Sequence, residues 1–369
     1  MTLPTTTRAA VLTEHGADLS LEHLPLPDEI EPGAALVRLA CTTLCGTDIE
    51  IWSGKMSFPG MLPMVLGHEM VGEVVAVGAG TIDALGREIQ VGARIGWSER
   101  TCGHCYGCTV LREPVACSNR GYGFTQRSDV APYAIGGLSE FCYVTPGAAK
   151  LLLPDDVKDT WASMAGCAAK TVLRAFSRVG GIRPASRVVI QGAGALGIFA
   201  TAVAHISGAA QVITVGAPDS RLETAKRFGA DATVSVSLGS QGIIDQVMSL
   251  TGGHGADHVF DFAGASGVGA EAIGMAAQRG TFAVVGSTGW GMTEIPLSAV
   301  MGKELTIAGS LNGDIADYYR AIEFFQVFAD RMPWDDLFSE PVGLSGATEC
   351  IRTMAELGQV KAVIDPRLP

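Results

Sequence analysis

Between residues 187 and 308, short apolar runs alternate with helix-patterned segments, and the first run empties directly into Gly192-Ala193-Gly194-Ala195-Leu196-Gly197. This arrangement restricts the possible folds more than any other part of the chain. The strand-length runs are Arg187 to Ile190, Val212 to Val215, Ala232 to Val236, His258 to Phe262, Thr281 to Val285 and Leu305 to Ala308. The helical patterns among them are Leu196 to Gly208, Arg221 to Phe228 and Ile243 to Leu250. Strand and helix in turn predict a doubly wound parallel sheet of the α/β class. In that setting Gly192 permits a tight turn, Gly194 lets backbone approach a pyrophosphate, and Gly197 lets the helix pack closely on the strand. Ala195 and Leu196 then open a helix whose N-terminus faces the anion. Dinucleotide binding is the expectation.

The first part of the chain has another texture. From Ala9 to about Val144 it reads as short strands, such as Ala35 to Ala40 and Val71 to Gly78, cut by Gly and Pro clusters. Trp161 to Val179 is helical in pattern, as is Ile315 to Ala329, which leads into a short tail holding Lys361-Ala362-Val363-Ile364. A chain of 369 residues has room for two domains, and 47% hydrophobic against 17% charged residues favours well-buried cores. A net charge of -12, with no run of Lys or Arg, argues against nucleic acid as a partner. The polar N-terminus lacks a signal-like apolar region, and no stretch reaches the roughly 20 apolar residues of a membrane span. A cytoplasmic location is therefore expected. Nine cysteines in such a chain read as thiols or metal ligands rather than as disulfides.

Four of them, Cys102, Cys105, Cys108 and Cys117, are spaced to close a tetrahedron around one Zn²⁺. A shell of four thiolates has no open position, so its work would be structural. An iron–sulfur cluster and unliganded thiols are the lesser alternatives. A second set is dispersed and weak residue by residue: Cys45 at the head of the turn Cys45-Gly46-Thr47-Asp48, His68-Glu69 after Gly67, and Cys167. Cys41, Cys142 and Cys350 have no metal spacing and are expected in the core.

Taken together, these motifs resemble the medium-chain, zinc-containing alcohol dehydrogenase family, from about residue 9 to the C-terminus. The resemblance implies a second, catalytic zinc on Cys45, His68 and Cys167. Glu69 would stand beside it, able to enter its shell, and Asp48 would orient the ligand histidine. Two thiolates and an imidazole leave one position for a substrate oxygen, toward which the metal acts as a Lewis acid. Thr47 matches the hydroxyl that takes the alcohol proton, although a turn-capping residue is the plainer reading of it. Where several members end a proton relay with histidine, this chain has Glu50, either a relay carboxylate or a solvated one.

The same comparison places Thr171 and Val285-Gly286-Ser287 at the nicotinamide, and Lys361 on the pyrophosphate. It also puts Gly216 where an acid would bind the ribose of NAD. Losing that acid removes the repulsion toward a 2′-phosphate, with Arg221 in reach and Asp219 a substitute if the loop folds back. A missing acid is not a built phosphate site, so NAD is favoured over NADP. The implied architecture is a GroES-like, β-rich catalytic domain, residues 1–160 and 311–369, around a Rossmann domain, residues 161–310. A homodimer or homotetramer follows by analogy.

The implied reaction moves a hydride between an alcohol and NAD(P), giving a ketone or aldehyde. Thr47, Trp52, Trp97-Ser98 and Leu311-Asn312 should line the pocket, and two tryptophans favour a bulky or alicyclic secondary alcohol. An NADPH-dependent carbonyl or enal reductase is one alternative. A non-catalytic nucleotide-binding homologue is the other.

Overall fold

The computed structural model describes residues 3–121, 126–286 and 292–369. The chain divides into two compact units. One holds residues 171–312 with 330–333; the other holds residues up to Lys170, Gly313–Ala329 and Trp334–Pro369.

In the unit of residues 171–312, the alternating segments form a six-stranded parallel sheet. Its spatial order is Ala232–Ser235, Gln211–Gly216, Arg187–Gln191, Ala256–Asp261, Ala276–Val284, Thr306–Gly309. Numbered along the chain this is 3-2-1-4-5-6, the doubly wound order with its switch point beside the first strand. All five pairings are parallel. Val188, Val189, Ile190, Val212, Val259 and Phe260 are wholly buried, as strands covered on both faces require. Phe176 stacks on Phe260 with ring centroids 4.3 Å apart. Helices Ala195–Ile206, Asp219–Arg227 and Gly239–Leu250 follow the expected segments. The helix Val268–Met275 was not anticipated, and the strand expected at Thr281 begins five residues earlier, at Ala276.

The other unit is built on antiparallel pairing. Ala35–Thr43 lies at its centre, bonded to Glu69–Val77, Phe141–Val144 and Val363–Ile364; Arg94–Arg100 and Ala148–Leu152 extend the sheet. A separate three-stranded sheet joins Ser20–Pro25, Thr6–Leu12 and Met64–Val65. Leu12, Leu44, Ile51, Leu66, Ile351 and Ile364 share one apolar cluster, so the late segments complete a core begun by the early ones. Helix Ala347–Ala355, with Cys350, Ile351 and Met354 on one buried face, is a further element absent from the sequence reading. Cys41 and Cys142 are also buried, at 3% and 0% exposure.

The boundary between units falls at Lys170, ten residues beyond the expected position. Asp159–Met164 packs on Ala35–Thr43 and Glu69–Val77, so this stretch belongs with the antiparallel sheet. The segment expected as one helix, Trp161 to Val179, is interrupted by a π-helical turn at Ala165–Ala169 before resuming as Lys170–Arg178. Among the described residues no helix is long and apolar enough to cross a membrane.

Candidate active site

Cys45, His68, Glu69 and Cys167 converge although 122 positions separate the first from the last. One donor atom from each lies within 4.8 Å of all the others. Three segments of the antiparallel unit supply them. Cys45 precedes a helix, Gly46–Trp52, where the sequence suggested only a turn. His68 and Glu69 stand at the start of the strand Glu69–Val77, and Cys167 is on the π turn. Gly67 makes the approach possible: its φ is +89°, and a Cβ there would meet the Thr42 methyl at 2.9 Å and Gly137 Cα at 3.1 Å.

Asp48 organises this centre from behind. Its carboxylate accepts from Cys45 N at 2.8 Å and from Gly67 N at 3.0 Å, and lies 3.2 Å from His68 Nδ1. The bond back to Cys45 closes the helix start in the manner of a capping box, with aspartate in the usual glutamate position. A carboxylate at 0% exposure needs such partners, and these tie both ligand-bearing segments to one anchor. With Nδ1 engaged, Nε2 is the ring nitrogen left for a metal.

The electrostatics are those of a crowded donor set. A hydrogen bond with Cys167, aided by the Lys361 ammonium, holds the Cys45 thiol well below its ordinary pKa. The same hydrogen bond, with burial, holds Cys167 well above. Burial opposes the charged form of His68, but Asp48 and Cys45 outweigh it and raise its pKa. Burial lifts Glu69 to about 7 against the pull of Lys361. Two thiols, an imidazole and a carboxylate are a donor set suited to zinc.

Lys361 has a protein partner that the sequence did not suggest. Its ammonium lies 2.5 Å from Glu69 Oε2, and the residue is 1% exposed. Pairing of Val363–Ile364 with Thr43 and Thr42 draws the lysine inside, where it neutralises a buried carboxylate. Thr43, opposite Glu69 in the sheet, donates a 2.5 Å hydrogen bond to the same carboxylate. Neither partner had any spacing signal in the sequence.

Thr47 and Glu50 lie on helix Gly46–Trp52, both partly buried. Burial, then the Cys45 charge, raises the Glu50 pKa. A cavity of about 870 Å³ in the same unit is lined by His68, Met70, Trp97, Ser98, Glu99, Tyr133, Ile135 and Tyr143, among others. Trp97 and Ser98 thus share a wall with His68, as expected. Trp52 does not: its indole N–H donates to Ala17 O at 2.7 Å, and its ring packs on the apolar cluster around Leu12 and Ile51. Thr47, Leu311 and Asn312 are likewise not among the residues lining this cavity.

The four-cysteine lobe is compact. One sulfur from each of Cys102, Cys105, Cys108 and Cys117 lies within 4.8 Å of the rest, and the pairs Cys105–Cys108 and Cys117–Cys102 are 3.6 Å apart. The edge of a tetrahedron with ~2.3 Å zinc–sulfur bonds is roughly 3.8 Å, so the sulfurs are already near metal spacing. Backbone N–H groups at Cys108 and Ser118 draw the Cys105 thiol down to about 5.

In the parallel unit, the turn after Arg187–Gln191 has the geometry that the glycines predict. Gly192 has φ +113°, and a Cβ on Gly197 would stand 1.8 Å from Gly192 O. Gly194 caps helix Ala195–Ile206, and a Cβ there would meet nothing within 4 Å, which leaves the turn open on that side. Gly216 is closed in: a Cβ there would lie 2.6 Å from Ala193 Cβ and 2.9 Å from Ala193 N. Any side chain here, an acid included, would require Ala193 to shift. Arg221 is 9% exposed on the first turn of Asp219–Arg227, where Asp219 is exposed. Thr171, 7% exposed, pairs with Asn312 at 3.5 Å. Val285 follows the fifth strand, its N–H on Asp261 O at 3.2 Å; Ser287 lies outside the described residues.

Comparisons with known proteins agree with this picture. Residues 31–155 match the alcohol dehydrogenase GroES-like domain, and residues 195–327 match the zinc-binding dehydrogenase domain. The chain is 31% identical to 5-exo-hydroxycamphor dehydrogenase of Pseudomonas putida over 98% of its length and 99% of that protein's. It is 31% identical to sorbitol dehydrogenase 1 of Saccharomyces cerevisiae over 85% of each. An alcohol dehydrogenase structure from Thermotoga maritima superposes with a TM-score of 0.89 at 26% identity, covering 98% of this chain and 99% of that one. A zinc-binding dehydrogenase from Sinorhizobium meliloti bound to NADP gives 0.84 at 26% identity, covering 98% and 100%.

Proposed function

Since the chain belongs to the zinc-containing, medium-chain alcohol dehydrogenases, we propose that its substrate is a bulky, apolar secondary alcohol, oxidised to the ketone with NAD or NADP as hydride acceptor. We propose two zinc ions per chain, a catalytic one on Cys45, His68 and Cys167 and a structural one on Cys102, Cys105, Cys108 and Cys117. The observation carrying this reading is the convergence of the first donor set beside a cavity that His68 itself lines.

Zinc at the catalytic site would supply Lewis acidity toward the alcohol oxygen, and the nicotinamide would accept the hydride. The protein's own groups do the rest. Asp48 fixes the tautomer and direction of His68 and holds the Cys45 turn. The Thr47 hydroxyl, two residues after Cys45 on the helix Gly46–Trp52 and outside the cavity's lining, takes the alcohol proton from a substrate oxygen held at the metal. Glu50, one turn further along the helix, receives it with a carboxyl whose raised pKa suits that task. The cavity lining is mixed, with Glu31, Glu99 and Arg100 among its polar groups, and its apolar part, Met70, Trp97, Ile135 and Tyr143, is what favours ring-bearing alcohols over open-chain polyols. The likeness to a dehydrogenase of hydroxycamphor, a bicyclic alcohol, supports the same class.

The test is a panel of alicyclic, benzylic, short linear and polyol substrates assayed with both NAD and NADP, alongside zinc analysis. Alicyclic alcohols should show the highest kcat/KM, with two zinc ions per chain. Hydride transfer confined to polyols or threonine would refute the substrate class, and none with any alcohol would refute the oxidation itself.

A further inference from the structure

Cys167 lies on backbone that regular helix geometry would not provide. The π turn Ala165–Ala169 interrupts two α-helical segments, and such turns persist where surrounding contacts hold them, often at functional sites. Here both shoulders are held by buried polar side chains. On the amino side Ser163, at 0% exposure, accepts from Thr43 N at 3.0 Å and donates to Glu69 O at 2.7 Å. On the carboxyl side Lys170, also at 0%, places its ammonium 3.1 Å from Ser98 Oγ and 3.2 and 3.4 Å from the two Glu99 oxygens. Ser98 completes the triangle with a 2.7 Å bond to Glu99.

Stability alone does not account for this lysine. Burying an ion pair costs desolvation that its attraction barely returns, and apolar replacements of the same volume are often neutral or better. What a buried, multiply bonded ammonium supplies is a fixed position. Space around it is also reserved: a Cβ at Gly313 would come within 3.0 Å of Lys170 Cγ. The ammonium ties the residue three places after Cys167 to the strand Arg94–Arg100, whose Trp97, Ser98 and Glu99 line the cavity that His68 also lines.

We propose that Lys170 is a positioning residue for the catalytic metal: anchored by Glu99 and Ser98, it fixes the carboxyl shoulder of the π turn and so the direction of the Cys167 sulfur. This rests on Cys167 being a metal ligand. Loss of the anchor lets the turn relax toward regular helix and rotates the thiol away from Cys45 and His68.

The experiment loads cobalt(II) at the catalytic site, with the four-cysteine lobe left on zinc, in wild type, C167S, E99Q and the K170M/E99Q double variant. The readouts are the sulfur-to-cobalt absorption bands, cobalt affinity, melting temperature, kcat and KM. E99Q removes the anchoring charge while keeping side-chain shape. It should shift those bands, weaken cobalt binding about tenfold and lower kcat by a similar factor, with KM changed less than twofold. The double variant, free of any unpaired charge, should melt at or above the E99Q temperature yet keep shifted bands. If C167S moves the bands while E99Q and the double variant leave them at wild-type positions, the positioning role is overturned. If C167S leaves them unmoved, the ligand assignment and the positioning role fall together. Should the double variant not fold, E99Q decides.

Discussion

Lys361 Nζ and Glu69 Oε2 stand 2.5 Å apart at 1% and 0% side-chain exposure, joining positions 292 residues apart in sequence. The pair sits behind Cys45, and each partner makes burial of the other tolerable. Replacing Lys361 with methionine strands a carboxylate in the core. Unfolding in urea should show a loss of about 3–5 kcal/mol, the usual cost of breaking a buried pair from one side. The double change K361M/E69Q should recover most of that loss. A single variant as stable as wild type would show that the Thr43 hydroxyl holds Glu69 adequately without the lysine.

Gly216 sets a second prediction. Alanine there must push Ala193, whose Cβ and N would lie 2.6 and 2.9 Å from the new methyl. That displaces the Gly192–Gly194 turn, which any dinucleotide meets whether or not it carries a 2′-phosphate. G216A should weaken NADH and NADPH binding alike, by about tenfold or more, in fluorescence titrations. A change confined to one of them would place the residue at the adenosine ribose instead of beneath the turn.

The four-cysteine lobe makes a metal prediction. C105S should lower zinc from two per chain to one and expose the 102–117 segment to limited proteolysis. Helix Tyr106–Thr109, only four residues long, has little else to hold it. Full zinc content in this variant would refute the structural site.

Lys150 predicts a pH dependence. It is 3% exposed, its ammonium bonded among the described residues to the carbonyls of Thr145 and Ala148, and burial depresses its pKa to about 8. Its ordinary value is 10.5, so between about pH 8 and 10.5 the unfolded chain binds more protons at this site. Stability contributed here therefore rises with pH across that window and is lowest below it. K150M lacks the effect. Its stability relative to wild type, from urea midpoints, should be most favourable below pH 8 and decline toward pH 10.5. A difference that stays flat would mean the ammonium is solvated.

What the sequence reveals divides by distance along the chain. The four-cysteine lobe and the turn at Gly192 are legible because spacing within 16 residues, or one φ value, carries the information. Asp48 is legible for the same reason, three positions from Cys45. The Glu69 pairing of Lys361 is not legible, because a lysine near a sheet edge looks the same whether it faces solvent or a carboxylate; only the pairing of Val363–Ile364 with Thr42 and Thr43 decides it. Trp52 misleads similarly, since an aromatic residue one helical turn past the site can face the cavity or the core, and a bond to Ala17 O selects the core. The π turn has no signature in Ala165-Gly166-Cys167-Ala168-Ala169, a run that suits plain helix. Ser163 and Lys170, which hold it, read as ordinary helix residues.

The tail strand Val363–Ile364 also fixes an order of events during synthesis. All six parallel strands have been made by Gly309, whereas Glu69 waits for Lys361 and the edge at Thr42 and Thr43 waits for the tail. At the ribosome's ~5–20 residues per second, that interval lasts roughly 3 to 10 seconds. The parallel sheet thus has all its strands made while the antiparallel sheet still lacks the cation for a buried acid and the strand for one edge.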